Sequence, residues 1–223
     1  MPTNPYTDIE QSFNIKVLGK GSQPMLFAHG YGCDQNMWRF MYPYFEEQYK
    51  IILFDYIGAG NSDLTAYSKE KYNSLQAYAD DVLAICEHLK LKDVIFVGHS
   101  VSAMIGLLAS IKKPSIFSKM ILIGPSACYI TDENYVGGFE QASIDELLNT
   151  LDINYLGWSQ SMAPVIMGNE DRPQLGKELS NSFCNTDVAN TVKDGTLKIL
   201  KATGHCPNLS APEETAKAIL DFL

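Results

Sequence analysis

The chain has 223 residues, 46% hydrophobic and 19% charged, which is enough for one sizeable core and too apolar for disorder. A net charge of −9 argues against nucleic acid and anionic membranes as partners, since both need basic patches. Residues 1–10 lack a basic stretch followed by an apolar one, and there is no apolar run of about 18 residues, so neither signal peptide nor membrane span is expected.

An early strand is expected at 13–17, followed by a turn at Gly19-Lys20-Gly21-Ser22. A short apolar strand at 24–28 runs into His29-Gly30-Tyr31-Gly32, and a helix follows through Met37, Trp38, Met41 and Tyr44. Residues 50–55 read as another buried strand. Between 74 and 89, apolar residues at 75, 78, 82, 85, 86 and 89 keep helical spacing. The β-branched run 93–97 is a strand, 101–111 is long and compact enough for a buried helix, and 120–124 is a further strand. Strands alternating with helices at this spacing predict a mostly parallel, doubly wound α/β sheet. From 125 to 187 the strand pattern stops, and helices are expected at 141–151, 155–167 and 173–184. Residues 196–202 read as a last strand, and Ser210-Ala211-Pro212-Glu213 as a capping box opening a terminal helix to Leu223.

Gly98-His99-Ser100-Val101-Ser102 sits between the strand at 93–97 and the helix at 101–111. A serine at a sharp strand-to-helix turn is the nucleophile elbow of α/β-hydrolases, where the turn lifts the hydroxyl clear and the helix start offers a backbone N–H. The usual G-x-S-x-G pattern departs here at Ser102, a position that needs a small side chain for helix and strand to approach. His205, on a loop after the last expected strand, is the candidate base, in the serine-then-histidine order of this fold. The N–H groups of Tyr31 and Val101 are the candidate oxyanion donors. His99 and His88 read as structural. Gly58-Ala59-Gly60 lacks the third glycine of a dinucleotide loop and the lysine of a phosphate loop, and no cluster has metal-ligand spacing, so no cofactor or metal is expected. Cys33, Cys86, Cys128, Cys184 and Cys206 are scattered without C-x-x-C spacing, as in a reduced, cytoplasmic protein.

Five ordered motifs carry a family resemblance: His29-Gly30-Tyr31-Gly32-Cys33-Asp34-Gln35, the stretch from Asp55 to Asp63, the stretch from Gly98 to Gly106, Gly137-Gly138-Phe139-Glu140, and the stretch from Gly204 to Ser210. Across nearly the whole chain these resemble the RsbQ-type α/β-hydrolases of bacterial stress signalling and their plant relatives, the karrikin and strigolactone receptors. The resemblance implies a hydrolase core at 1–124 and 196–223 with a helical lid at 125–187. It implies an apolar pocket lined by Tyr31, Tyr129, Phe139, Trp158, Met162 and Phe183, for a small hydrophobic ester- or lactone-like ligand. It allows two functions. One is a serine hydrolase; the other is a catalytically weak sensor that binds ligand under the lid and engages a signalling protein partner.

The family pattern fails between Cys184 and Thr196. There the fold calls for the last lid helix, a strand, the triad acid and another helix, and the residues 185–195 are too few for them. Asp132, Asp187 and Asp194 are nearby, and none matches the acid. Closing the sheet over a missing strand would carry His205 away by ~4.8 Å, one strand spacing. The expectation is therefore that His205 stays close to Ser100, with an empty strand position and a break or unnaturally long link in the chain between 184 and 196.

Overall fold

The computed structural model describes residues 8–126, 128–153, 155–168, 172, 174, 200 and 204–223. Five strands form one sheet: β1 (Lys16–Leu18), β2 (Pro24–Ala28), β3 (Lys50–Leu53), β4 (Val94–His99) and β5 (Phe117–Ile123). Their spatial order is β1-β3-β2-β4-β5, with β1 antiparallel to β3 and every other pairing parallel. The strand-to-helix alternation thus yields the parallel, doubly wound sheet that it predicts.

Two apolar layers enclose this sheet, and β2 shows why all five of its residues are buried. Leu26 and Ala28 face one layer, with Ile52, Phe54 and Phe96, under α2 (Leu75–His88) and α3 (Val101–Lys112). Met25 and Phe27 face the other, with Trp38, Met41 and Phe45. The second layer also takes Trp158, Ala163 and Met167 from α5 (Tyr155–Met167), which follows α4 (Gln141–Ile153). Leu209, Ala216 and Ile219 close it from two C-terminal helices, α6 (Pro207–Ser210) and α7 (Pro212–Leu220).

Several boundaries differ from the sequence expectation. Phe13 is not in a strand: it ends a four-residue helix, α1 (Ile9–Ser12), and is fully buried. Asn14, at φ 45°, breaks the chain direction there, so β1 begins two residues later as an exposed edge. The helix expected through Met37 to Tyr44 is two 3-10 turns, Gln35–Trp38 and Tyr42–Tyr44. Pro43 lies at the start of the second and cannot donate back to the first, so the two do not fuse. Strand β5 starts earlier than 120, taking in the exposed Ser118 and the half-buried Lys119. The capping box is not formed. Ser210 is the last residue of α6, and Ala211 precedes α7 with no side-chain cap. Pro212, at the first helical position, removes one of the N–H groups that a cap would serve. The helix expected at 173–184, and all but Leu200 of the strand expected at 196–202, lie outside the described residues. Among the described residues, β5 is the last strand on its side of the sheet.

Candidate active site

Ser100 stands between β4 and α3 with φ 55° and ψ −119°, a conformation that β-carbon sterics disfavour. Small residues make the turn possible. A β-carbon on Gly98 would lie 2.6 Å from the Ser102 carbonyl oxygen, and one on Gly106 would lie 2.2 Å from the Phe96 ring. Without side chains at these points α3 packs directly on β4. The Ser100 N–H donates to the Ile123 carbonyl at 2.8 Å, anchoring the turn to β5.

His205 reaches this serine from 105 residues away, with Nε2 at 2.7 Å from Ser100 Oγ. Its backbone N–H donates to the Ile166 carbonyl in the last turn of α5 at 2.9 Å, and its carbonyl accepts from His99 Nε2 at 2.8 Å. Gly204, at φ 81°, fits against α5 only for lack of a β-carbon, which would lie 1.7 Å from the Met167 carbonyl oxygen. Burial lowers the His205 pKa below its ordinary 6.5, so the ring is neutral at pH 7 and able to accept a proton. Among the described residues no carboxylate bonds His205 Nδ1; that edge of the ring faces Gly124, where a β-carbon would come 3.2 Å from it. Asp132 instead accepts from the Asn134 N–H in an exposed turn, and Asp187 and Asp194 lie outside the described residues.

Val101 opens α3, so its N–H has no preceding helical turn to donate to. Tyr31 lies in the turn after β2, half-buried between the two apolar layers. That turn rests on the elbow, since a β-carbon on Gly30 would lie 3.5 Å from Ser100 Cβ.

Four residues outside the Ser100–His205 pair and the expected oxyanion donors hold these loops. His29 Nδ1 donates to the Gly30 carbonyl at 3.0 Å, and its Nε2 accepts from the Tyr56 N–H at 3.1 Å, joining the turns after β2 and β3. Burial keeps this ring neutral as well. The fully buried Asp55 carboxylate accepts from the Gln35 N–H at 2.7 Å, Asn14 Nδ2 at 2.7 Å and the Asn61 N–H at 3.0 Å. The Ser102 hydroxyl donates to the His29 carbonyl and lies 3.1 Å from the Tyr56 hydroxyl, so the departure from glycine adds a tie between α3 and the turn after β2. His99 is the fourth. His88 ends α2 at the surface, 3.3 Å from Glu10.

The expected pocket residues fall into groups. Tyr129 and Phe139 pack edge to face at 6.4 Å in the segment before α4. Trp158 and Met162 line a cavity of about 480 Å³ between α4 and α5, with Ser143, Glu146, Leu147, Thr150 and Ser161. Neither Ser100 nor Tyr31 is in its wall, and Phe183 lies outside the described residues. Among the described residues no three His, Cys, Asp or Glu side chains group as a metal ion requires, and no helix is long and apolar enough to cross a membrane. Cys33, Cys86, Cys128 and Cys206 carry thiols rather than disulfides, and burial raises the Cys206 pKa, so the thiol beside His205 is protonated.

The pattern of the alpha/beta hydrolase fold family matches residues 23–201. The chain belongs to this family. Among its relatives, the strigolactone esterase D14 of Arabidopsis thaliana is 33% identical over 255 aligned positions, which cover 94% of this chain and 96% of that protein. The karrikin insensitive 2 receptor IA of Petunia hybrida is 31% identical over 258 positions, covering 95% and 94%. Among solved structures, a hydrolase from Oleispira antarctica superposes with a TM-score of 0.91 at 34% identity, covering 96% of each chain. Both plant alignments are longer than the 223 residues of this chain, so each relative holds residues with no counterpart here. That agrees with the shortfall between Cys184 and Thr196.

Proposed function

We propose that the chain is a serine hydrolase of RsbQ type, acting on a small hydrophobic ester or lactone. The contact of 2.7 Å between Ser100 Oγ and His205 Nε2, at the head of α3, carries this reading. His205 takes the hydroxyl proton as Ser100 Oγ bonds to the substrate carbonyl carbon, and the carbonyl electrons move onto oxygen. The N–H groups of Val101 and Tyr31 receive that oxyanion. The intermediate then collapses, the alkoxide leaves with the proton from His205, and water releases the acyl group by the same steps in reverse roles. In this reading α4 and α5 belong to the lid, and Tyr31, Tyr129, Phe139, Trp158 and Met162 are the described residues offered to the ligand; Phe183 lies outside the described residues. The thiol state of four cysteines agrees with a cytoplasmic setting. A serine-directed fluorophosphonate is expected to label the folded protein at Ser100, and Ser100→Ala to abolish labelling; an unlabelled folded protein would sink the proposal.

One observation favours a second reading. Among the described residues His205 has no carboxylate partner, and in other Ser-His-Asp enzymes losing the acid costs on the order of 10⁴-fold in turnover. The chain then works as a sensor, holding the ligand under the lid and presenting the closed lid to a signalling protein. Ligand-dependent melting with negligible turnover distinguishes it.

A further inference from the structure

We infer that His99, the residue before the nucleophile, is a positioning residue that holds the base in place, where no carboxylate reaches it among the described residues. The inference rests on the Ser-His reading and extends it to a residue outside the dyad. His99 is 2% exposed, and its ring lies between the two loops that flank Ser100. On one side Nε2 donates to the backbone carbonyl of His205 at 2.8 Å. On the other the Nδ1 edge packs on Gly30, where a β-carbon would come 2.4 Å from Nδ1. Nδ1 is buried without a hydrogen-bond partner. It can be left so only as a lone pair, which assigns the ring proton to Nε2 and makes the bond to His205 a donation.

Among the described residues, His205 is therefore held by three hydrogen bonds: its N–H to α5, its carbonyl from His99 and its Nε2 to Ser100. A triad acid acts on the ring of the base; His99 acts on its backbone. Because His99 belongs to the same strand-to-helix turn as Ser100, nucleophile and base share one rigid reference. The rings of His99 and His205 lie 5.1 Å apart, and burial, reinforced by the neighbouring His205, lowers the His99 pKa to about 3. His99 thus keeps its donor and its neutrality across the working range of the base.

The test compares three substitutions by two readouts. In His99→Gln the side-chain amide nitrogen reaches the position of Nε2 and keeps the donor. His99→Asn is polar but falls short of the His205 carbonyl, and His99→Leu has no donor. The first readout is the pH titration of the His205 Cε1–H resonance, and the second is the rate of fluorophosphonate labelling. In the unsubstituted protein and in His99→Gln, the titration midpoint stays below 6.5 and labelling is largely retained. In His99→Asn and His99→Leu the midpoint rises toward 6.5 as the ring swings into water, and labelling falls by about tenfold or more. If Asn and Leu leave both readouts unchanged, or if Gln is as defective as Leu in protein of equal melting temperature, the inference is overturned. If the midpoint responds as described but the unsubstituted protein is never labelled, the positioning role stands and the hydrolase reading falls.

Discussion

At the scale of single residues, the candidate site combines a strained serine with a histidine whose proton affinity is set by burial. In the proposed reading neutral His205 accepts the serine proton, and burial has moved its pKa below 6.5. The rate of fluorophosphonate labelling is therefore expected to rise with pH through a midpoint below 6.5 and to be flat from about pH 7 upward. A midpoint at or above 6.5 in a labelling profile would contradict this account of the base. The strand-to-helix turn at Ser100 was legible in the sequence because two apolar runs flank a glycine there, and His205 was expected as the base from its place after Gly204 in the serine-then-histidine order of the fold. The residues that hold them were not. His99 bonds 106 positions away, Ser102 73 and His29 27, and no local pattern encodes partners so distant.

At the scale of elements, the site depends on how closely α3 can approach β4 and the turn after β2. Gly98 and Gly106 permit the first approach, and the Ser102 hydroxyl secures the second. Ser102→Ala keeps the volume and removes the tie, leaving the His29 carbonyl buried without that donor. It is expected to cost about 1–3 kcal/mol in a urea titration, with an unchanged denaturant slope. Labelling should slow as well, since the turn carries Tyr31. An unchanged urea midpoint would show that the hydroxyl contributes nothing. Helix α5 was expected over the residues it spans, and α2 follows from its apolar spacing. The 3-10 turns do not, because the apolar positions from Met37 to Tyr44 fit a helix while Pro43 interrupts its bonding. The capping letters at 210–213 mislead for a similar reason: Ser210 is already committed to α6.

At the scale of the whole molecule, His29 and His99 are buried and His205 is half-buried, all with pKa values below the 6.5 of an unfolded chain. Below pH 6.5 the unfolded chain binds protons that the folded protein refuses, so stability is present above 6.5 and falls as pH drops toward the folded values. With a folded pKa of about 3, His99 alone accounts for about 2 kcal/mol between pH 6.5 and 5. Urea midpoints at pH 7.5 and 5.0 are expected to show this loss. Replacing His99 by Gln should shrink it by that amount, and an identical loss in both proteins would contradict it.

By itself the sequence determined the parallel sheet, the strand-to-helix turn at Ser100 and the shortfall after Cys184. Each of these is written locally, as a periodicity, a turn residue or a length too short for the elements required. Tertiary structure alone decided what steadies the base. Its loop is carried by α5 and by His99, on elements far from it in the chain, and in the second apolar layer α5 packs with Ile121 and Ile123 of β5. A hydrogen bond between distant residues exists only once the chain has folded, so neither composition nor spacing announces it.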